Sequence, residues 1–402
     1  MVFLRISVFL MGLFSLFAIP TFHRFILVDL FLLSSFFLAF IIILIKKIYF
    51  NKTDLFFLSI SILYYAATQF GVLNSGSYIG LLSAQLFLLS FLTVFFISKI
   101  LYNLKLLLIL LKGFVYSAII TSLYCIIETI YFYTHLKSLN NVIFPKELLA
   151  RSRLVLYTAF IHIGGLILYR PSGFSLDPSI TIPGVFLAFM LVKENIIVFS
   201  KNRKLILFLL IIAIILSTAK TSIIVLILYF VFKIFQKKVL FLNKIKVNSL
   251  IIIFFISLFL LLYIGLFLKY NNSNEGNIRH LKYMSSIFYF YKQKPIELLF
   301  GYGYTGVGTF FNKYVSWFKD IPGFKFGQNL NPESSLIDIL FFGGLAGLIF
   351  WISTFLYSLI NGNEKIKLII LLLLFLMFGS DINSTWFNFT YISLFMMSHN
   401  KW

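Results

Sequence analysis

Negative charge is what this chain has least of, with 13 Asp and Glu against 34 Lys and Arg and a formal net charge of +21. Charged residues of either sign make up only 12% of the 402 residues, whereas 60% are apolar. Soluble domains carry about 25% charged and about 45–50% apolar residues. A soluble fold of this make-up would lack the polar groups to cover its surface, so lipid must replace water around much of it. Cysteine is nearly absent. The single Cys125 lies in an apolar run, which excludes a disulfide framework and a Cys-based metal site. A compact basic domain is missing as well: the Lys and Arg are scattered between apolar runs, against a nucleic-acid-binding module. No repeat or low-complexity tract marks a solenoid, and no cluster has metal-ligand spacing.

What the chain does have is long apolar runs. They lie at about 6–22, 25–45, 55–73, 78–98, 106–131, 179–199, 205–217, 221–235, 248–268, 336–360, 366–379 and 385–398. At about 20 residues per crossing, they predict an all-α polytopic membrane protein of about twelve transmembrane helices, forming a single integral membrane domain over residues 1–402. The segments 205–217 and 221–235 are short, and read as two tilted helices or as one helix broken around Ser217-Thr218-Ala219-Lys220-Thr221. Arg5 is followed by an apolar stretch to Pro20 without a clear small-x-small cleavage site, so it reads as an uncleaved first helix.

Basic residues set the expected orientation. With the N-terminus cytoplasmic, the short inner connections hold Lys46, Lys47, Lys52, Lys99, Lys105, Lys201, Arg203, Lys204, Lys233, Lys237, Lys238, Lys244, Lys246, Lys365 and Lys367. The short outer connections hold only Arg24 and Lys220. This asymmetry places both termini in the cytoplasm and two long loops, about 132–178 and 269–335, on the outer face.

Those loops concentrate the ionisable residues. The first includes Arg151, Arg153 and Asp177; the second includes Arg279, His280 and Lys282. Basic groups beside Tyr- and Phe-rich amphipathic stretches suit an anionic, lipid-linked ligand, for which the planar fork of Arg matches phosphate. Solvated loop charges or contacts with anionic lipid are the plainer account of any one of them. Three patterns are sharper. Arg170-Pro171-Ser172-Gly173-Phe174-Ser175-Leu176-Asp177-Pro178 fixes an irregular turn at the mouth of a helix; it is either a site or an interfacial anchor with Asp177 as a helix cap. Arg279 is followed by an amphipathic stretch and then Gly301-Tyr302-Gly303, where backbone could approach a ligand or simply form a flexible loop. No Gly-Lys-Ser/Thr follows, which excludes a P-loop. Pro332-Glu333-Ser334-Ser335 opens a helix that carries Asp338 about one turn deeper; either carboxylate is a catalytic candidate, and Glu333 is equally a cap. Within the spans Lys112 can snorkel, Lys193 and Glu194 sit at a cytoplasmic helix end, and Glu128 could pair inside the bundle. None forms the carboxylate relay of a proton-driven pump.

This order of features resembles the bacterial O-antigen and capsular polysaccharide polymerases, relatives of the O-antigen ligases. The resemblance covers the layout of nearly the whole chain. Arg170–Pro178 is similar to that family's Arg-x-x-Gly-Phe-x-x-(Asp)-Pro element, Arg279 to Gly303 resembles its Arg-to-Gly-x-Gly element, and Pro332–Gly347 resembles the element opening the next helix. Where the ligases and many relatives carry His-Asn, Glu333-Ser334 stands here. The resemblance implies a GT-C-like bundle and a metal-independent glycosyltransferase without cofactor, in the bacterial cytoplasmic (inner) membrane. Its donor would be a glycan on undecaprenyl pyrophosphate and its acceptor a lipid-linked repeat unit; the product would belong to lipopolysaccharide or capsule. On this reading Glu333, Arg279 and Arg170 are catalytic, with Arg170 and Arg279 facing the pyrophosphate and Glu333 as base. Asp177, His280, Lys282, Arg151 and Arg153 contact substrate. Membrane lipids, a chain-length regulator and a flippase are the implied partners; nucleic acid is not one. A lipid-linked oligosaccharide flippase or other transporter, an O-antigen ligase and a non-catalytic scaffold are the alternatives.

Overall fold

The structure is a computed structural model of the chain, and it describes residues 2–16, 26–75, 78–139, 160–163, 166–171, 173, 178–199, 201–238, 294–303, 335–379 and 385–398. It is mostly helical. In chain order these residues form α1 (Val2–Leu13), α2 (Ile26–Ile45), α3 (Lys52–Ser75), α4 (Tyr78–Asn103), α5 (Leu107–His135), α6 (Pro178–Lys193), α7 (Arg203–Leu216), α8 (Lys220–Lys238), α9 (Pro295–Phe300), α10 (Ser335–Asn361), α11 (Glu364–Gly379) and α12 (Thr385–Ser398). All the expected apolar segments except 248–268, which lies outside the described residues, overlap a helix.

Among the described residues, three helices are long and apolar enough to cross a membrane: Lys52–Leu73, Leu107–His135 and Ile339–Asn361. Several of the others are short: α7 and α12 have 14 residues each and α6 and α11 have 16, which at about 1.5 Å per residue falls short of a hydrocarbon core of about 30 Å. The expected break at Ser217 does occur: Thr218 takes a left-handed backbone (φ 48°) and separates α7 from α8 as two helices. One correction follows: the fold is not purely helical. β1 (Phe160–Ile163) and β2 (Leu166–Tyr169) pair antiparallel, with Phe160 opposite Tyr169 and Ile163 opposite Leu166. The sequence between the strands is Gly164-Gly165.

The chain divides into two compact units. The first is built from Met1–Phe31, Val94–Ile234 and Leu372–Leu394. In it α5 packs against α1, α6 and α7, and α6 also packs against α7. α1 and α5 cross at reciprocal glycines: a Cβ at Gly12 would strike Leu110 O, and one at Gly113 would strike Phe9 O. Such small residues let helix backbones touch. α6 is apolar all round, and every side chain from Thr181 to Val192 is buried, as expected of a helix surrounded by others.

The second unit comprises Leu32–Thr93, Phe235–Leu371 and Phe395–Trp402. Its described centre is α3 against α10, with α9 packed on both. α10 is kinked at Gly344, whose φ of 64° and ψ of −160° are not helical. Thr53 and Tyr357 join α3 to α10 by a 3.2 Å hydrogen bond, and the Phe57 ring lies 4.1 Å from that of Phe395.

Candidate functional site

Of the expected site residues, the structure describes Arg170. Arg151, Arg153, Asp177, Arg279, His280, Lys282 and Glu333 lie outside the described residues, and of Asp338 only the backbone within α10 is described. The candidate site is therefore built around Arg170, in the first unit.

It begins on α5. Thr121, Cys125, Glu128 and Phe132 recur at spacings of four, three and four residues and so share one face of the helix. At 29 residues, α5 measures about 43 Å, longer than a hydrocarbon core. Glu128 is the 22nd of these residues. That face receives the segment that follows the hairpin. The Tyr169 ring stacks on Phe132 at 4.2 Å and 6°, and its backbone N–H donates to Tyr133 Oη at 3.4 Å. The Tyr169 hydroxyl donates to Glu128 Oε1 at 2.5 Å. Ser138 Oγ lies 3.1 Å from the same hydroxyl. Burial, then the Glu128 charge and this hydrogen bond, push the Tyr169 phenol well above its ordinary range, so it stays a donor.

The other carboxylate oxygen holds the next turn. Gly173 N–H donates to Glu128 Oε2 at 3.2 Å. Gly173 has φ +67°, and a Cβ there would press on the methyls of Thr121 and Thr181 and on Cys125 Sγ; only glycine takes both the backbone and the space. Between these two pinned residues lies Arg170. It is 7% exposed, and its Nε donates to the carbonyl of Ser217 at 3.1 Å. Ser217 ends α7, so the guanidinium meets the negative end of that helix. The turn Tyr169–Gly173 thus joins the ends of α5 and α7. The hydroxyls of Ser117 and Thr121 on α5 are buried and have no hydrogen-bond partner among the described residues.

Arg170 was legible in the sequence as part of an Arg-Pro-x-Gly turn. Its seat was not. In the sequence Glu128 is a carboxylate that could pair inside the bundle, but nothing there links it to Tyr169 and Gly173, some 40 positions later. The usable signal was a lone glutamate in the last third of an overlong apolar helix, where a carboxylate is costly unless it is bonded.

The opposite end of the same helices has a related arrangement. Tyr229 Oη donates to Glu194 at 2.6 Å, and Lys233 Nζ pairs with Glu194 at 3.1 Å. Arg203 Nη2 donates to the carbonyls of Val192 and Lys193, 3.2 and 2.8 Å away, which end α6. In the second unit, Gly301 and Gly303 approach protein backbone. Tyr302 N–H and Gly303 N–H donate to Phe341 O and Phe342 O at 2.7 and 3.0 Å, carbonyls that the kink at Gly344 frees from the α10 ladder. Gly71 of α3 closes on the same point.

Among the described residues no three His, Cys, Asp or Glu come together to hold a metal ion. No family model matches the chain, and no curated protein or solved structure matches it either.

Proposed function

We propose that this membrane protein is an oligosaccharide repeat-unit polymerase of the bacterial cytoplasmic membrane, working on the outer face with both termini in the cytoplasm. About twelve passes with two large outer loops belong to this reading. The acceptor sugar hydroxyl attacks the anomeric carbon of the donor glycan. The new glycosidic bond forms as the bond from that carbon to undecaprenyl pyrophosphate breaks, and the hydroxyl proton passes to a carboxylate. Pyrophosphate is a good leaving group, so cations for the departing charge and one base suffice. Arg170 and Arg279 take the pyrophosphate, Glu333 the proton, and Asp177, His280, Lys282, Arg151 and Arg153 hold the sugars.

The observation that supports this reading is the Tyr169–Gly173 turn. An arginine is fixed there beside a helix end by a buried carboxylate and by a glycine whose positive φ and close neighbours disfavour any side chain. A polyprenyl carrier in the bilayer would bring its phosphates to such a place. The flippase alternative would use a broken helix with open carbonyls, whereas two carbonyls at the α10 kink are bonded by Tyr302 and Gly303.

The test is purified protein with lipid-linked repeat units and no other enzyme, product length being read by mass spectrometry. Chains of two or more units are expected. In cells, loss of the protein should leave single-unit glycans and remove the long-chain ladder. Loss of the single-unit species too would defeat the polymerase reading in favour of flippase or ligase. Arg279→Ala and Glu333→Ala should each abolish the ladder at normal protein abundance, and an intact ladder in both would refute the site.

A further inference from the structure

Glu128 makes its two described hydrogen bonds on either side of Arg170, one to the Tyr169 hydroxyl and one to the Gly173 amide. It is wholly buried and Tyr169 is 3% exposed, so the carboxylate is closed off from solvent. Nothing in the transfer reaction requires it. The ring of Tyr169 is already seated on Phe132, but stacking alone leaves the turn beyond it free to swing. Pinning residues 169 and 173 to the same side chain removes that freedom. The guanidinium then reaches Ser217 O at the end of α7.

We infer that Glu128 is a positioning residue: acting through Tyr169 and Gly173, it fixes the turn that presents Arg170 to the pyrophosphate of the lipid-linked donor. This rests on the polymerase reading, which makes Arg170 a substrate contact. The two described bonds of this clamp come from neutral donors, a phenol and an amide, so they act by hydrogen-bond geometry. A glutamine at this position keeps it: the amide oxygen accepts from Gly173 N–H, the amide N–H₂ donates to the Tyr169 oxygen, and the Tyr169 hydroxyl turns its proton to Ser138 Oγ, 3.1 Å away. Methionine has a similar shape and keeps neither bond.

The experiment compares Glu128→Gln, Glu128→Met and Tyr169→Phe in the full-length protein with two readouts. The first is hydrogen exchange of the amides in 169–173 and 217–219, which needs no activity. Exchange in both segments should rise about tenfold in Glu128→Met and stay near wild type in Glu128→Gln. The second is turnover on lipid-linked repeat units. A misplaced cation should lower kcat about 100-fold in Glu128→Met and raise KM for the donor, with Glu128→Gln restoring both. Tyr169→Phe should fall between them, and it carries the comparison if the methionine variant is not recovered folded. Unchanged exchange in Glu128→Met overturns the clamp. A loosened turn with normal turnover overturns its role in the reaction, and a glutamine variant as impaired as methionine shows that the charge itself acts. Wild-type protein without polymerase activity refutes the polymerase reading, and the exchange result then decides the clamp by itself.

Discussion

The two ends of the α5–α8 bundle solve one problem with the same pair of devices. At each end an arginine meets the carbonyls that finish a helix, Arg170 at Ser217 and Arg203 at Val192 and Lys193. At each end a buried glutamate accepts a short hydrogen bond from a tyrosine, Glu128 from Tyr169 and Glu194 from Tyr229. The difference lies in what else reaches the carboxylate. Glu194 pairs with Lys233, whose side chain is 30% exposed and lies 5.8 Å over the Tyr229 ring. Glu128 takes its two described bonds from neutral donors, a phenol and an amide. One end is therefore an ion pair that water can share. The other is a dry seat for an irregular turn, and a seat holds geometry where a solvated pair mostly holds charge.

That difference predicts unequal costs. Glu128→Ala would take the described acceptor from the buried Gly173 N–H, leave the Tyr169 hydroxyl only Ser138 Oγ, and open a cavity; it should destabilise the protein by about 2–4 kcal/mol. Glu194→Ala should cost about 1–2 kcal/mol, since Lys233 can turn to water while Tyr229 is left unmet. Thermal unfolding of the detergent-solubilised protein measures both. Equal losses would mean that the two ends are alike in hydration. The backbone extends the contrast. Gly173→Ala should cost about 1–3 kcal/mol, for the positive φ and for contact with Thr121, Thr181 and Cys125. At the other end Asn195 has φ 58° just past the last turn of α6, where glycine is the favoured residue. There Asn195→Gly should be neutral or stabilise by a few tenths of a kcal/mol (~0.3). A costly glycine at 195 would show a side-chain role the backbone does not suggest.

Much of this was legible in the sequence where composition governs it. Apolar runs located the helices, because a backbone in lipid must satisfy itself locally. The Ser217–Thr221 break was visible as polar residues inside such a run. Arg170 and Gly173 were visible as a turn, since proline and glycine restrict backbone in known ways. Some helix ends were not, because hydropathy does not show where a helix stops within an apolar stretch: the run 179–199 is helical only to Lys193. The hairpin at 160–169 was hidden for a related reason: four-residue apolar strands look like pieces of a loop or a helix, and Gly164-Gly165 alone is a weak signal. The long-range partners were invisible. Tyr169 and Glu128 meet only because α5 and the hairpin are folded against each other, and the close approach of Gly301 and Gly303 depends on a kink in a helix some 40 residues later.

The finest test of the contrast is its response to salt. A partly exposed pair contributes about 0–1 kcal/mol and is screened as ionic strength rises, the Debye length falling from about 10 Å at 0.1 M to about 3 Å at 1 M. A double-mutant cycle on Glu194 and Lys233 should therefore give a coupling of about 0.5 kcal/mol at low salt and almost none at about 1 M. The same cycle on Glu128 and Tyr169 should give about 1.5 kcal/mol or more and not change, because neither group is reached by the counterions that do the screening. The comparison is made within one protein and one detergent, so bulk effects of salt on the micelle cancel between the two cycles. If the Glu128 coupling fell with salt as the Glu194 coupling does, water and ions would have access to the seat. Arg170 would then be tethered by a mobile contact, and the geometric account of the turn would lose its basis.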